Sequence, residues 1–154
     1  MTGCYRVRGV RSHRVASKSA AEHLARPFTG DYSMGVVRTL VVKATVGQED
    51  PSRCGEAFTV SAEAAADGVA VSFWLAGEAS WFALPGRAEE CELPTGVGLR
   101  ELLTRLVDGG RVTLCKSCAA RREILPGALL PGVRIAGAPV FVEECLVADK
   151  VVVY

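Results

Sequence analysis

Residues 111–123, RVTLCKSCAARRE, decide how the rest of the chain is interpreted. The segment follows the turn pair Gly109-Gly110, opens with β-branched and aliphatic residues, and continues in residues that favour helix. This pattern predicts a strand that ends at Cys115 and a helix that begins at about Lys116. A strand followed at once by a helix is the unit from which parallel α/β sheets are built.

Two cysteines lie where the predicted strand gives way to the helix. The free N–H groups and the positive end of the helix dipole would face the Cys115 sulfur, and both favour a thiolate. Lys116 and Arg121 are expected to stabilise the same anion, with Arg122 as a further nearby cation. Cys118 lies about one helical turn away on the same side, so the two sulfurs can meet. We therefore predict that Cys115 is the reactive thiol and Cys118 its resolving partner.

The rest of the chain alternates strand-like and helix-like segments. Asp50 and Pro51 suit the N-cap and first position of a helix that ends near Asp67, and Cys54 on its apolar face is interpreted as a small core residue. The other predicted segments are strands at 39–44, 69–75, 133–136 and 150–154, a short helix or turn at 79–84, a helix at 99–107 and a helix from 137.

Five strands separated by helices predict an α/β fold. The expected architecture is a single-domain, open, doubly wound sheet of about five mostly parallel strands with helices on both faces, as in flavodoxin-like proteins. Strands joined by a helix pair in parallel through right-handed crossovers. The continuous apolar run at residues 39–44 agrees, because strands of a parallel sheet are buried on both faces.

Charge and hydropathy argue against two classes of protein. Residues 1–33 hold six of the 18 basic and two of the 17 acidic residues, so the remaining chain has a formal charge of −3. We therefore expect no nucleic-acid partner. No apolar run reaches the roughly 18 residues of a membrane-spanning helix, and no membrane association is expected. Six cysteines without a recognisable secretory leader indicate a reducing compartment, the cytoplasm.

Residues 1–33 are interpreted as a disordered basic extension. They are rich in arginine and serine and lack a sustained hydrophobic period. Met34 directly precedes the first predicted strand, so the extension is expected to be dispensable and its start mis-assigned, with residues 34–154 forming the α/β domain. Cys4, His13 and His23 lie in this extension and receive no site role.

The strand followed by Cys115-x-x-Cys118-Ala-Ala-Arg-Arg, placed third in a small βαβ layout, resembles the DsrE/DsrF-like sulfur-relay family over about residues 37–154. In that family a cysteine at this strand end carries sulfane sulfur. The resemblance implies that Cys115 is the active cysteine and Cys118 its neighbour. Glu123 stands where glycine is common in the family, so the local turn is expected to differ.

The resemblance also implies an assembly and a strand order. A homo-oligomer, trimer or hexamer, is expected, and a cluster of Trp74, Trp81 and Phe82 is a hypothetical interface, with Trp81 and Phe82 alternatively lining a pocket. The implied strand order is 2-1-3-4-5. Under that order the ligand crevice lies between the first and third strands, and the loop at residues 45–47 would face Cys115.

The function predicted on these grounds is intracellular sulfur handling. A thiolate at Cys115 accepts sulfane sulfur as a persulfide and passes it on, with sulfur donor and acceptor proteins or low-molecular-weight persulfides as partners. Residues 34–154 contain no histidine, and an ionised thiol needs no general base. Such a carrier would be a sulfurtransferase that requires no cofactor.

Other functions use the same residues. A non-catalytic oligomeric binding or assembly module would keep the fold without turnover. A thiol–disulfide oxidoreductase would use the Cys-x-x-Cys pair, although thioredoxin-like proteins place it after an early strand and an aromatic residue, whereas Leu114 precedes Cys115 here.

Two further alternatives concern anions and metals. Cys115 and Arg121 have the Cys-x5-Arg spacing of cysteine phosphatases, but residues 116–120 lack the glycines that cradle a phosphate. Cys91 or Cys145 would have to complete a zinc site, and a second Cys-x-x-Cys pair is absent from the sequence. We therefore expect no stoichiometric metal.

Overall fold

The computed structural model describes residues 38–94 and 96–154. The interpretation of residues 1–33, including Cys4, His13 and His23, falls outside the described residues. Within the described part of the chain, no helix combines the length and the apolar character that crossing a membrane requires.

Strands and helices alternate along the described residues, as the sequence predicted, with bounds that differ from the predicted ones by no more than two residues. The strands are β1 Thr39–Ala44, β2 Ala70–Leu75, β3 Arg111–Cys115, β4 Val133–Ala136 and β5 Lys150–Val153. The helices are α1 Pro51–Ala66, α2 Leu99–Gly109, α3 Lys116–Arg121 and α4 Ala138–Val147, with 3₁₀ helices at Gly77–Ala83 and Pro126–Ala128.

Local sequence explains where α1 begins and ends. The Asp50 carboxylate accepts a hydrogen bond from the Arg53 N–H at 3.1 Å, and Pro51 takes the first helical position. Gly68 follows the helix with a φ of 82°, a left-handed conformation that glycine adopts without strain. Cys54 and Phe58, one turn apart, are both fully buried, which confirms Cys54 as a core residue.

All five strands pair in parallel in one sheet with helices on both faces, so the predicted fold class is confirmed. The strand order is β4-β3-β2-β1-β5, and the order 2-1-3-4-5 is wrong. The first three crossovers each move the chain one strand in the same direction. The last crossover carries β5 back past the others to pair with β1.

Hydrogen bonds near both ends of β5 explain why it joins β1. The Asp149 carboxylate accepts a hydrogen bond from the Thr39 N–H at 2.8 Å, and the Asp149 N–H donates to the Thr39 hydroxyl at 2.9 Å. At the other end, the Tyr154 carbonyl accepts a hydrogen bond from the Thr45 N–H at 3.0 Å. These contacts connect residues more than 100 positions apart, which no local pattern in the sequence reveals.

One face of the sheet is covered by α1 and α2, which pack against each other. Phe58 of α1 makes edge-to-face contacts with Phe73 of β2 and with Phe82, at centroid distances of 4.7 and 5.8 Å. Phe82 is 1% exposed. Trp74 points to the opposite face and is 2% exposed beneath Phe141 of α4. The hypothesis that Trp74 and Phe82 form an interface is therefore wrong, because this chain already buries them.

Helix α4 covers the other face and places a half-buried charged group there. The Glu144 carboxylate accepts hydrogen bonds from Ser72 at 2.6 Å, Trp74 at 2.7 Å, Arg134 at 2.6 Å and Arg111 at 3.0 Å. Burial would raise the pKa of Glu144, but these donors outweigh it and the pKa is lowered. One carboxylate of α4 thus joins β2, β3 and β4.

The short helix α3 ends in a Schellman motif. The Ile124 N–H donates to the Ala119 carbonyl at 2.9 Å and the Glu123 N–H donates to the Ala120 carbonyl at 3.3 Å. Glu123 occupies the position that normally holds glycine and has a φ of 55°. The turn is therefore formed although the family glycine is replaced, and Glu123 is held in a conformation that disfavours a side chain.

Replacing Glu123 by glycine should remove this strain. We expect Glu123→Gly to raise the free energy of unfolding by about 1 kcal/mol, because a left-handed non-glycine residue costs about 1–2 kcal/mol and the added chain entropy offsets part of the gain. Urea unfolding of the two proteins measures the difference. Glu123→Val is the matched control and should destabilise the protein. A glycine variant that is less stable than the parent would show that the Glu123 side chain stabilises this turn.

Candidate functional site

The cysteines lie at the carboxyl edge of the sheet, where β2 and β3 end side by side. Leu75 and Leu114 are partners in the β2–β3 register, so the loop that follows β2 begins next to Cys115. The loop at residues 45–47 follows β1, which β2 separates from β3. The predicted crevice between the first and third strands is therefore wrong, and the residues after β2 take the place expected for those after β1.

Cys115 is the last residue of β3 and the residue before α3. Its side chain is half-buried, and its Sγ lies 3.2 Å from the Ser117 hydroxyl oxygen. The chain turns here from extended to helical conformation, which the sequence predicted from the change in residue type after Leu114. The described cysteines, Cys115 among them, are free thiols.

The pKa of Cys115 is lowered. Burial acts in the opposite direction, because it disfavours a charged sulfur. The hydroxyl and N–H of Ser117 and the N–H and thiol of Cys118 outweigh burial by placing hydrogen-bond donors at the sulfur. Cys115 is therefore more fully ionised near neutral pH than an ordinary thiol.

Cys118 is also half-buried, and its Sγ accepts a hydrogen bond from the Gly77 N–H at 3.4 Å. Gly77 begins the 3₁₀ helix after β2 and has a φ of 49°. A Cβ at this position would collide with the carbonyl oxygen of Thr45. Only glycine therefore lets the loop lie close enough to the end of β1 to present this amide to Cys118.

The basic residues near the cysteines differ in their environment. Lys116 and Arg121 are exposed on α3, and the groups that lower the pKa of Cys115 belong instead to Ser117 and Cys118. Their role in stabilising an anion stays a prediction. Arg122 is 12% exposed and donates to the Glu78 carboxylate at 2.6 Å. Its charge is thus bound to Glu78 in an ion pair.

A second pair of cysteines lies in the core. Cys54 of α1 is fully buried, and its neighbour Cys91 is 5% exposed. Burial, and to a smaller extent the neighbouring Cys91, raises the pKa of Cys54 to about 12. Burial also raises the pKa of Cys91. These thiols stay protonated at physiological pH and are poor nucleophiles.

Two cavities bear on where a ligand would bind. One of about 320 Å³ lies near the carboxyl edge and is lined by Gln48, Glu49, Glu78, Trp81, Phe82 and Arg87. Trp81 and Phe82 thus line a pocket, as the sequence suggested. Another of about 400 Å³ lies at the amino ends of β1, β2 and β3, at the edge opposite Cys115. Its position excludes a direct part in the chemistry of Cys115.

The structure also bears on the phosphatase and zinc alternatives. Residues 116–121 form helix α3, so the segment after Cys115 is not a loop whose amides surround a phosphate. Across residues 38–94 and 96–154, no three His, Cys, Asp or Glu side chains are grouped as ligands for a metal ion.

Comparison with known proteins gives a family and a fold. The family model described as "DsrE/DsrF-like family" matches residues 40–154. The YchN protein of E. coli has a similar structure, with a TM-score of 0.66, 21% identity, and coverage of 76% of this chain and 99% of its own. MTH1491 of Methanobacterium thermoautotrophicum, a protein of unknown function, has a TM-score of 0.53, 15% identity and the same coverage. No curated protein matches the chain significantly.

Sequence reasoning missed Gly77 and Glu78, which adjoin the cysteine helix. The signal was present, because the two residues directly follow β2 and loops after parallel strands form ligand sites. The incorrect strand order directed attention to the loop after β1. Glu144 was missed as well, since one of two adjacent acids in a mostly apolar helix gives no indication of its four partners.

The two pairs of thiols should differ in reactivity. We expect iodoacetamide to label Cys115 in the native protein with an apparent pKa below the ~8.5 of a free thiol, while Cys54 and Cys91 react only after unfolding. Peptide mapping after short exposures across a pH series measures this for each residue, with urea-unfolded protein as the control. Equal labelling of Cys54 and Cys115 in the native protein would contradict the assigned environments.

Proposed function

Because the chain belongs to the DsrE/DsrF-like family, we propose that it accepts and passes on sulfane sulfur as a persulfide on Cys115. The family is associated with sulfur relay. The observation that carries the proposal is the environment of Cys115, a half-buried thiol at the end of β3 whose pKa is lowered by adjacent donors. Such a thiol is a nucleophile at neutral pH and remains accessible to a small donor or an extended protein segment.

The reaction begins with attack of the Cys115 thiolate on the outer sulfur of a donor persulfide. The donor S–S bond breaks, the donor leaves as a thiolate that takes up a proton, and Cys115 holds a new S–S bond. An acceptor thiolate then attacks the outer sulfur and restores the Cys115 thiolate. The partners are sulfur donor and acceptor proteins or low-molecular-weight persulfides, and the reducing cytoplasm keeps the thiols available.

Cys118 supplies a second route of release. Its thiolate attacks the inner sulfur of the Cys115 persulfide, the outer sulfur leaves as hydrosulfide, and a Cys115–Cys118 disulfide forms. A cellular thiol must then reduce this disulfide before the next cycle. The environment of Cys115 supports this role, because Cys118 is among the residues whose donors lie at the Cys115 sulfur. Lys116 and Arg121 would attract the anionic donor to this surface.

Loading with polysulfide tests the carrier function. We expect intact mass spectrometry to show additions of ~32 Da per sulfur atom on the native protein. Cys115→Ser should abolish these additions, because it removes the attacking thiolate. Cys118→Ser should load normally and release sulfur more slowly. Cys145→Ser, which changes a half-buried cysteine of α4, is the matched control and should behave as the parent does.

Three outcomes would favour other functions. Loading that depends on Cys118 alone would reverse the assigned roles. A Cys115–Cys118 disulfide that cycles with a dithiol, without sulfur addition, would indicate a thiol–disulfide oxidoreductase. Absence of both reactions would favour the binding or assembly module.

We also propose a homo-oligomer, trimer or hexamer, since the family is associated with oligomers. The supporting observation is an apolar surface on the side of the sheet that carries α4. It consists of Val142, Leu146 and Val147 on α4 and Val151 and Val153 on β5, and Leu146 is 80% exposed. Exposed apolar residues in such number are typical of surfaces that a further chain covers.

Charge introduced into this surface should dissociate the oligomer. We expect Leu146→Glu to shift the molar mass, measured by light scattering after size exclusion, from that of a trimer or hexamer to that of a monomer. Val60→Glu changes an exposed valine of α1 outside this surface and is the matched control. A monomeric parent would contradict the oligomer, and an oligomeric Leu146→Glu variant would place the interface elsewhere.

A further inference from the structure

The loop after β2 and the helix that carries both cysteines are joined by one ion pair. Arg122 caps the carboxyl end of α3, and its N–H donates to the Cys118 carbonyl at 3.2 Å. Its guanidinium donates to the Glu78 carboxylate at 2.6 Å. Glu78 directly follows Gly77, whose N–H donates to the Cys118 sulfur. The ion pair and the amide–sulfur bond therefore lie one residue apart in the loop and one helical turn apart in α3.

The environment of the ion pair makes it well suited to fix a geometry. The Arg122 side chain is 12% exposed and the Glu78 side chain 51%, and a charge-assisted hydrogen bond with one largely buried partner is screened less than a pair of two exposed groups. The other Glu78 oxygen accepts a hydrogen bond from the Trp81 indole at 3.2 Å, and the Arg122 guanidinium lies 5.9 Å from the centre of that ring. The Glu78 side chain is thus held from two directions.

Helix α3 needs such an anchor. It has six residues, and helices shorter than about 12 residues are unstable in water without tertiary contacts. Ala119 is the one residue that it buries among those described. The loop, by contrast, is already fixed to the end of β1, because the Glu78 N–H donates to the Thr45 carbonyl at 2.9 Å. The ion pair therefore joins a weakly held helix to a firmly held loop.

We propose that Glu78 and Arg122 are positioning residues, whose ion pair holds the Gly77 N–H on the Cys118 sulfur so that the Cys118 thiol directs its proton to Cys115. The amide withdraws electron density from the Cys118 sulfur, which makes its S–H a stronger donor to the Cys115 thiolate. Hydrogen bonds in series strengthen one another in this way. The inference rests on the proposed function only for the use of the activated thiolate, since the ion pair acts on the thiol pair itself.

The direction in which Glu78→Ala changes the alkylation rate of Cys115 separates this positioning role from a purely electrostatic effect of the Glu78 charge. Loss of the negative Glu78 by itself would favour a nearby thiolate, whereas loss of the amide–sulfur bond disfavours it. Loss of the positive charge of Arg122 disfavours the thiolate whether Arg122 acts through its charge or through the amide–sulfur bond. We expect both Glu78→Ala and Arg122→Ala to slow iodoacetamide alkylation of Cys115 at about pH 6.5 by roughly three- to tenfold, the effect of up to one unit in the apparent pKa of the thiol pair.

Two controls complete the experiment. Arg100→Ala removes a cation of α2 that pairs with Glu89 instead of Glu78, at 2.6 Å, and it should leave the alkylation rate unchanged. In a Cys118→Ala background, Glu78→Ala should have no effect, because the influence passes through the Cys118 sulfur. Melting temperatures verify folding. If either alanine variant unfolds, Glu78→Gln takes its place. This variant also removes the negative charge, and it should also slow the alkylation of Cys115.

The results distinguish positioning through Cys118 from a direct effect of the ion pair on Cys115. Faster alkylation of Cys115 in Glu78→Ala, or an unchanged rate, would overturn the proposal. An effect of Glu78→Ala that persists without Cys118 would overturn it too, because the ion pair would then act directly on Cys115. Alkylation does not require sulfur transfer, so a failure to load polysulfide would disprove the carrier function and leave this test intact.

Discussion

The close approach of Gly77 to the carbonyl of Thr45 is the constraint on which the cysteine site depends. It folds the segment after β2 over the end of β1, so that the Gly77 amide points across the sheet edge toward α3. A side chain at Gly77 would force the loop outward and remove the donor from Cys118. The site is therefore built from backbone geometry as much as from side chains, and it needs β1, β2 and β3 in consecutive positions.

One chain places the same functional group in two contrasting environments. Cys54 and Cys91 are buried among apolar side chains, where burial raises the pKa of each thiol. Cys115 is half-buried, and the hydrogen-bond donors of the first turn of α3 outweigh the effect of that burial. The pKa values of these thiols differ because hydrogen-bond donors face the sulfur of Cys115 and outweigh its burial, whereas burial dominates at Cys54 and Cys91. A count of cysteines in the sequence therefore says little about which of them react.

Sequence reasoning predicted the succession of strands and helices because periodicity, caps and glycines are local signals. Asp50 with Pro51, and the change after Cys115, are examples in which a few neighbouring residues determine the outcome. The strand order depends instead on contacts such as Thr39 with Asp149, which are 110 positions apart. The same holds within the site, where Arg122 was interpreted as a cation near Cys115, while its partner Glu78 lies 44 positions earlier in the chain.

The pairing of β5 with β1 has a consequence for synthesis on the ribosome. The β1 to β4 part of the sheet, with both cysteines, needs only residues up to Ala136, and each of its strands pairs with the next along the chain. The nascent chain can therefore complete the cysteine site before β5 has been translated. Until then one edge of β1 has unpaired N–H and C=O groups beside the apolar residues Leu40 and Val42, a combination that favours association between strands of different chains. Strand β5 thus protects the edge of a strand that was translated well before it.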